Sequence, residues 1–183
     1  MPVYLAFLRG INVGGNNKVP MADLREMLTA LGYKKAKTLL QSGNAVFAAP
    51  KQDLLKLEKK LEGATKDKFG VQVDYMVRDA TVLDRVIKEN PFPQMAKEDP
   101  SHLLVTFLKD TPRQTAGADL QAAIKGNEVV RVMGDIAYIT FPDGIGTSKV
   151  TSSVIDKNLG TRGTARNWNT ILKLRDLAAT IKG

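Results

Sequence analysis

The segment VYLAFLRGINVGGNNK (Val3–Lys18) decides the fold of the N-terminal half. Its first six residues are almost wholly apolar, which is typical of a central, buried β-strand. The remainder, Arg9–Lys18, is rich in glycine and asparagine and predicts an irregular connection. Pro20–Leu31 then carries apolar residues at helical spacing and is followed by Gly32, so the sequence predicts a strand, a loop and a helix.

The residues after the first helix predict a hairpin, a second helix and a further strand. Ser42-Gly43-Asn44 separates two short apolar runs and predicts a hairpin. A long amphipathic segment closed by glycine predicts a second helix, and an alternating segment predicts a strand. The order is β-α-β-β-α-β, the ferredoxin-like plan. The predicted elements after the first helix are Lys37–Leu40, Ala45–Ala48, Lys51–Phe69 and Val71–Val77.

The second half repeats much of this pattern. A short helix over Asp79–Lys88 is stopped by Asn90-Pro91-Phe92-Pro93, and a polar stretch runs to Ser101. We therefore expect an α/β (α+β) protein with subdomains at residues 1–90 and 101–183, packed as one body. The second is predicted as a β-α-β-β-α-α variant. Its elements are Leu103–Leu108, Thr115–Ile124, Val129–Met133, Ile136–Phe141, Ser148–Leu159 and Asn167–Ile181.

Composition restricts the possible chemistry. The 183 residues include no cysteine, which excludes disulfides, thiolate zinc sites and cysteine nucleophiles. The net charge of +8 favours an anionic partner, either a small molecule or nucleic acid, although a solubility charge is the simpler interpretation. No apolar run reaches membrane-spanning length and the N-terminus lacks a signal-peptide pattern, so we expect a cytoplasmic protein with no membrane partner.

The first glycine-rich loop is a candidate ligand site. Gly14 and Gly15 allow a ligand to approach the backbone, Asn12 offers an amide, and Arg9 and Lys18 can neutralise an anion. The loop is neither a P-loop nor a Gly-x-Gly-x-x-Gly dinucleotide motif. A permissive connection that needs several left-handed residues explains the same composition.

Two later segments offer further cations. Pro142–Lys149 ends in Thr147-Ser148-Lys149 before a predicted helix, where Lys149 is a candidate anion ligand and Ser148 a possible N-cap. Arg162, Arg166 and Asn167 are the candidates in the last segment, because arginine forks bind carboxylates and phosphates. Trp168 shares that segment, but its helical spacing favours core packing.

Catalytic residues are not evident. His102 is the sole histidine, so a histidine-based triad or metal site lacks material. No catalytic residue, metal site or cofactor is therefore predicted. The Ser42-Gly43-Asn44 turn is expected to lie at the end of the sheet opposite the first glycine-rich loop, which favours a purely structural role.

Several strings resemble one bacterial family, the domain of unknown function 1697. They are Leu8–Gly15, Pro20-Met21-x-x-Leu24, Gln41–Phe47, Asn90-Pro91-Phe92 and Thr164–Thr170, and they span nearly the whole chain. The resemblance implies two α/β subdomains of similar topology. It implies no activity, catalytic residue or cofactor.

Three hypotheses for function remain open from sequence. The first is a binding protein for a phosphate-bearing ligand or nucleic acid. The second is a transferase or hydrolase that acts on a phosphorylated or nucleotide substrate and uses arginine and backbone N–H groups for electrostatic stabilisation. The third is a scaffold or protein-interaction module in which the loops only shape the fold.

Overall fold

A computed structural model describes residues 1–182. Over these residues the chain forms two four-stranded antiparallel sheets and seven α-helices, in two compact units. The first unit contains residues 1–84 and the described residues from Lys173, and the second contains residues 85–172. The predicted α+β class with two similar subdomains is confirmed. The boundaries at residues 1–90 and 101–183, and the packing of the two subdomains as one body, stay predictions.

The first unit has the predicted β-α-β-β-α-β order. Its sheet runs β2-β3-β1-β4, with every neighbouring pair antiparallel. A third helix follows β4 and crosses into the second unit. The elements are β1 (Val3–Leu8), α1 (Met21–Ala30), β2 (Lys34–Leu39), β3 (Asn44–Ala48), α2 (Leu54–Phe69), β4 (Tyr75–Asp79) and α3 (Val82–Lys88).

The core of this unit forms between the helices and one face of the sheet. Alternate β1 residues Tyr4 and Leu8 join Leu28 of α1 and Leu61 of α2 in one buried cluster. Each fully buried side chain of this kind contributes about 1.5–3 kcal/mol. The opposite face of β1 is also buried, which accounts for the unbroken apolar run.

Two glutamates of α2 cover the edge strand of this sheet. Glu58 Oε1 accepts a hydrogen bond from the N–H of Val77 at 2.9 Å, and Glu62 Oε1 accepts one from the N–H of Tyr75 at 3.1 Å. Both donors lie on β4, which is an outer strand. These carboxylates therefore occupy N–H groups that an edge strand otherwise offers to another chain.

The second unit repeats the plan. Its sheet runs β6-β7-β5-β8 and is again fully antiparallel. The strands are β5 (Leu103–Leu108), β6 (Val129–Met133), β7 (Ile136–Thr140) and β8 (Gly163–Asn167). The helices are α4 (Pro93–Glu98), α5 (Ala116–Ala123) and α6 (Ser152–Leu159), and α7 (Trp168–Lys182) continues into the first unit.

The sequence predicts a β-α-β-β-α-α variant for this half, and the structure contains one strand more than that prediction. Gly163–Asn167 forms β8, so the half is a complete β-α-β-β-α-β unit followed by α7. Periodicity missed β8 because its buried side chains include the polar Thr164 and Arg166 rather than an apolar set. The predicted helix start at Ser148 is also wrong, because Thr151 is the N-cap of α6 and accepts from the N–H of Val154.

We predict that Gly43→Ala destabilises the protein more than Gly32→Ala. Both glycines have positive φ, at 90° and 87°, so alanine strains the backbone at each by about 1–2 kcal/mol. A Cβ at Gly43 would also lie 2.6 Å from Ile11 Cδ1, whereas Gly32 has open space around it. Overpacking adds about 1–3 kcal/mol at Gly43 alone. Urea unfolding monitored by circular dichroism measures both variants, and equal losses would contradict the close packing described for Gly43.

Candidate functional site

The hairpin turn between β2 and β3 lies beside the first glycine-rich loop. The N–H of Leu8 donates to the carbonyl of Gly43 at 2.9 Å, and Asn12 Nδ2 donates to the carbonyl of Gln41 at 2.8 Å. The expectation that this turn lies at the opposite end of the sheet is therefore wrong. Because β1 and β3 are antiparallel, with Phe7 opposite Asn44, the end of β1 meets the beginning of β3. We call Leu8–Val19 together with Leu40–Asn44 the N-terminal corner.

The loop in this corner folds back on itself. The N–H of Asn12 donates to the carbonyl of Asn17 at 3.1 Å, and the N–H of Asn16 donates to the carbonyl of Val13 at 2.9 Å. Gly14 and Gly15 form the tip, with φ of 57° and 77°, and both are exposed. The loop is thus a small closed hairpin that presents two glycines to solvent.

Asn12 fixes the corner through its side chain. Its Oδ1 accepts from the N–H of Val19 at 2.9 Å, and its Nδ2 donates to the carbonyls of Val19 and Gln41 at 3.0 and 2.8 Å. Asn17 Nδ2 donates to the carbonyl of Gly10 at 3.2 Å. The Asn12 amide therefore joins both segments of the corner and the approach to α1. Its predicted role as a ligand residue stays a prediction.

Strained backbone is concentrated in the N-terminal corner. Leu40 has φ of 61°, a conformation that costs about 1–3 kcal/mol for a residue without a compensating side-chain bond. Its side chain is 50% exposed, and Val13 in the adjoining loop is 66% exposed. The residues with positive φ here are Gly10, Asn12, Gly14, Gly15, Asn17, Leu40 and Gly43.

Positive charge and helix N–H groups lie next to the loop. Lys18 is exposed, and Arg9 is half-buried while its own N–H donates to the carbonyl of Asp74 at 3.0 Å. Helix α1 follows Pro20, and no side chain caps it. The N–H groups of Met21–Asp23 therefore lack partners within the helix, since Leu24 is the first residue to donate inside it.

The second candidate segment does not open a helix. Within Pro142–Lys149 the N–H of Gly144 donates to the carbonyl of Phe141, and the N–H of Ser148 donates to the carbonyl of Ile145. Lys149 is exposed and lies three positions before the first residue of α6. The segment is thus a pair of turns whose last residues line a cavity in the second unit.

The third segment is largely occupied by its own structure. Arg166 is 7% exposed, and its Nη1 donates to Thr164 Oγ1 and to the carbonyl of Ala165, each at 2.8 Å. Burial lowers the pKa of Arg166 to about 10. Asn167 Oδ1 accepts from the N–H of Thr170 at the start of α7. Trp168 is buried, as the packing interpretation predicted.

The candidate residues fall into two sets. Arg9, Asn12, Gly14, Gly15 and Lys18 belong to one loop of the first unit, whereas the remaining candidates belong to the second unit. That second set consists of Lys149, exposed Arg162, Arg166 and Asn167. Convergence of both sets on one pocket stays a prediction. The candidates predicted from sequence do not include Leu40–Ser42. The antiparallel pairing of β1 and β3 places these residues beside the glycine-rich loop, so strand direction is the signal that identifies them.

The described residues contain neither a metal-binding cluster nor a membrane-spanning helix. His102 Nδ1 lies 2.7 Å from Asp99 Oδ2, and this pair is part-exposed. Over residues 1–182, no group of three or more histidine, cysteine, aspartate or glutamate side chains is arranged to hold a metal ion. In the same range, no helix combines the length and hydropathy that crossing a membrane requires.

We predict that Asn12→Ala lowers the free energy of unfolding by about 2 kcal/mol. The substitution removes three side-chain hydrogen bonds and places alanine at a φ of 55°. Asn16→Ala is the matched control, because the Asn16 side chain is exposed, and it should change stability by less than about 0.5 kcal/mol. Denaturant titrations measure both variants. Equal stability of the two would show that Asn12 does not fix the corner.

Comparisons with known proteins agree with this architecture. The structure of the conserved bacterial protein SP0830 from Streptococcus pneumoniae superposes with a TM-score of 0.75 and 23% sequence identity, over 97% of this chain and 98% of that chain. At this identity the likeness shows the fold alone. No curated protein matches the chain. The family model described as "Protein of unknown function (DUF1697)" matches residues 1–138, most of the sequence. The resemblance seen in the sequence strings is therefore confirmed, and the chain belongs to the DUF1697 family.

Proposed function

We propose that this protein binds an anionic, phosphate-bearing ligand at the N-terminal corner. The observation that carries the proposal is the joining of the exposed glycine- and asparagine-rich loop to the exposed Leu40–Ser42 turn, through the Asn12–Gln41 and Leu8–Gly43 hydrogen bonds. Lys18 and the start of α1 lie at the same surface. The corner thus combines a cation with backbone donors.

The donors suit a phosphate group. Helix α1 is uncapped, and its first-turn N–H groups carry the positive end of the helix dipole. Asn12 Oδ1 accepts a hydrogen bond from the N–H of Val19, and this bond fixes the loop relative to the start of α1. Lys18 precedes this fixed point and is exposed, so its ammonium group is available to a ligand oxygen. Asp23 supplies one negative charge to the first turn, which sets a limit on how tightly a highly charged anion binds.

Strain gives independent support for a site here. Leu40 has a positive φ in the β2–β3 turn, and the connection from β1 to α1 does not require that conformation. Residues held in unfavourable conformations cluster at ligand sites, where a fixed surface lowers the entropy cost of binding. Leu40 is such a residue, and it is exposed.

Nucleic acid is the second candidate ligand, favoured by the net charge of +8. If duplex DNA binds through about six phosphate contacts, log affinity falls against log salt concentration with a slope of about −5. Fluorescence anisotropy of a labelled duplex over a range of salt concentrations measures this slope. A slope near zero would remove nucleic acid as the ligand and leave the small anion.

For a small anion, we predict that pyrophosphate raises the thermal stability of the full chain. At a hundredfold excess over the dissociation constant, binding adds about 2.7 kcal/mol to the free energy of unfolding. Lys18→Ala should weaken pyrophosphate binding about tenfold, because it removes a charge-assisted hydrogen bond. Differential scanning fluorimetry and calorimetric titration provide the two readouts.

Lys59→Ala is the matched control for Lys18→Ala. Lys59 is exposed on α2, so its removal changes the net charge equally without altering the corner. Equal loss of affinity in both variants would indicate general charge attraction instead of a site. Absence of any stabilisation by pyrophosphate would contradict the proposed function itself.

A further inference from the structure

A cavity in the second unit connects a buried carboxylate with the segment Pro142–Lys149. Its volume is about 280 Å³, which is near the lower end of the range for small-ligand pockets. Ile124, Val150 and Val154 supply apolar wall. The polar lining consists of Lys125, Glu128, Asp143, Thr147, Ser148 and Lys149, and Gly126 lies beside Glu128.

Glu128 is the buried acid of this cavity. Its side chain is 8% exposed, and Oε1 accepts a hydrogen bond from Ser148 Oγ at 2.5 Å. Over residues 1–182, Oε2 has no hydrogen-bond partner. A buried carboxylate oxygen without a donor is unfavourable, most of all when the group is charged. Glu128 therefore has the capacity to accept one hydrogen bond that the chain itself does not supply.

Gly126 makes room for this oxygen. A Cβ at position 126 would lie 2.5 Å from Glu128 Oε2 and 3.3 Å from its carboxyl carbon. Any other residue at this position would thus force the carboxylate away. The backbone at Gly126 needs no positive φ, so close approach to Glu128 distinguishes this glycine from those in the turns.

The other charges of the cavity indicate what kind of donor fits. Lys125 and Lys149 are exposed, and over the described residues neither has an ion-pair or hydrogen-bond partner. Two ammonium groups repel a cationic donor and attract an anion. Asp143 Oδ2 already accepts from Asn127 Nδ2 at 2.8 Å. A ligand that carries both a neutral hydroxyl and an anionic group therefore matches the cavity.

We propose that this cavity binds a small hydroxylated phosphate ester. A ligand hydroxyl donates to Glu128 Oε2, and the phosphate group lies between Lys125 and Lys149. The terminal torsion of glutamate is broad, so the carboxylate turns toward the ligand hydroxyl at small cost, and the rotatable Ser148 hydroxyl follows Oε1. All residues that line this cavity belong to the second unit, and its test does not depend on the function proposed for the N-terminal corner.

Calorimetric titration of the full chain with three probes tests the proposal. The probes are sn-glycerol 3-phosphate, methyl phosphate and glycerol. We expect glycerol 3-phosphate to bind at least about tenfold more tightly than methyl phosphate, which lacks the hydroxyl groups, and glycerol alone to bind more weakly than either. Equal affinity for the two phosphates, or no binding by any probe, overturns the proposal.

Two variants assign the binding to this cavity. In Glu128→Gln the advantage of glycerol 3-phosphate over methyl phosphate should fall below about threefold, because the oxygen that distinguishes the two ligands has been replaced. Lys149→Ala should weaken both phosphates by about tenfold. Circular dichroism confirms that each variant is folded, and the exposed Lys149 keeps the test decisive if Glu128→Gln does not fold.

Lys157→Ala is the control. Lys157 is exposed on α6 and does not line the cavity. This variant should bind glycerol 3-phosphate with the affinity of the parent protein. An equal loss of affinity in Lys149→Ala and Lys157→Ala would indicate general charge attraction and overturn the assignment to the cavity.

Discussion

The antiparallel pairing of β1 with both β3 and β4 is the constraint on which the rest of the structure depends. It places the end of β1 beside the beginnings of its two neighbours, so that Leu8 donates to Gly43 and Arg9 donates to Asp74. Everything in the N-terminal corner follows from these two bonds. The loop that leaves β1 must turn away immediately, and its neighbour in space is the β2–β3 hairpin.

The same constraint acts again in the second unit. Leu108 donates to the carbonyl of Asp135 at 3.0 Å, and Lys109 donates to that of Arg162 at 2.7 Å. Arg78 and Arg166 also occupy corresponding places, opposite Leu5 and Val105 of the central strands. The two units therefore share a hydrogen-bonding scheme as well as an order of elements. Their loops differ, since the glycine-rich hairpin belongs only to the first unit.

Apolar periodicity was sufficient to predict most of the fold. The apolar pattern of the central strands and the amphipathic helices predicts which of their residues are buried. The predicted β-α-β-β-α-β order of the first half is confirmed. Strand β8 was missed because an edge strand with buried threonine and arginine has no apolar alternation. Apolar periodicity does not place the Ser42 turn either, because the position of that turn depends on the antiparallel direction of β1 and β3.

The candidate site was less predictable than the fold. Composition marks the loop as rich in polar groups, but it does not distinguish groups that bind a ligand from groups that hold the backbone. The Asn12 amide is engaged with Val19 and Gln41, whereas Lys18 is exposed. Glu128 has no local signal at all, because its burial depends on Ser148, which is twenty residues away.

Amide chemical-shift mapping during a pyrophosphate titration tests the central claim most directly. Our account predicts the largest saturable shifts at the N–H groups of Gly14, Gly15, Lys18 and Met21–Asp23, with smaller shifts in the Leu40–Asn44 turn. Saturable shifts confined to other surfaces, or an unchanged spectrum, would contradict the assignment of a ligand site to the N-terminal corner.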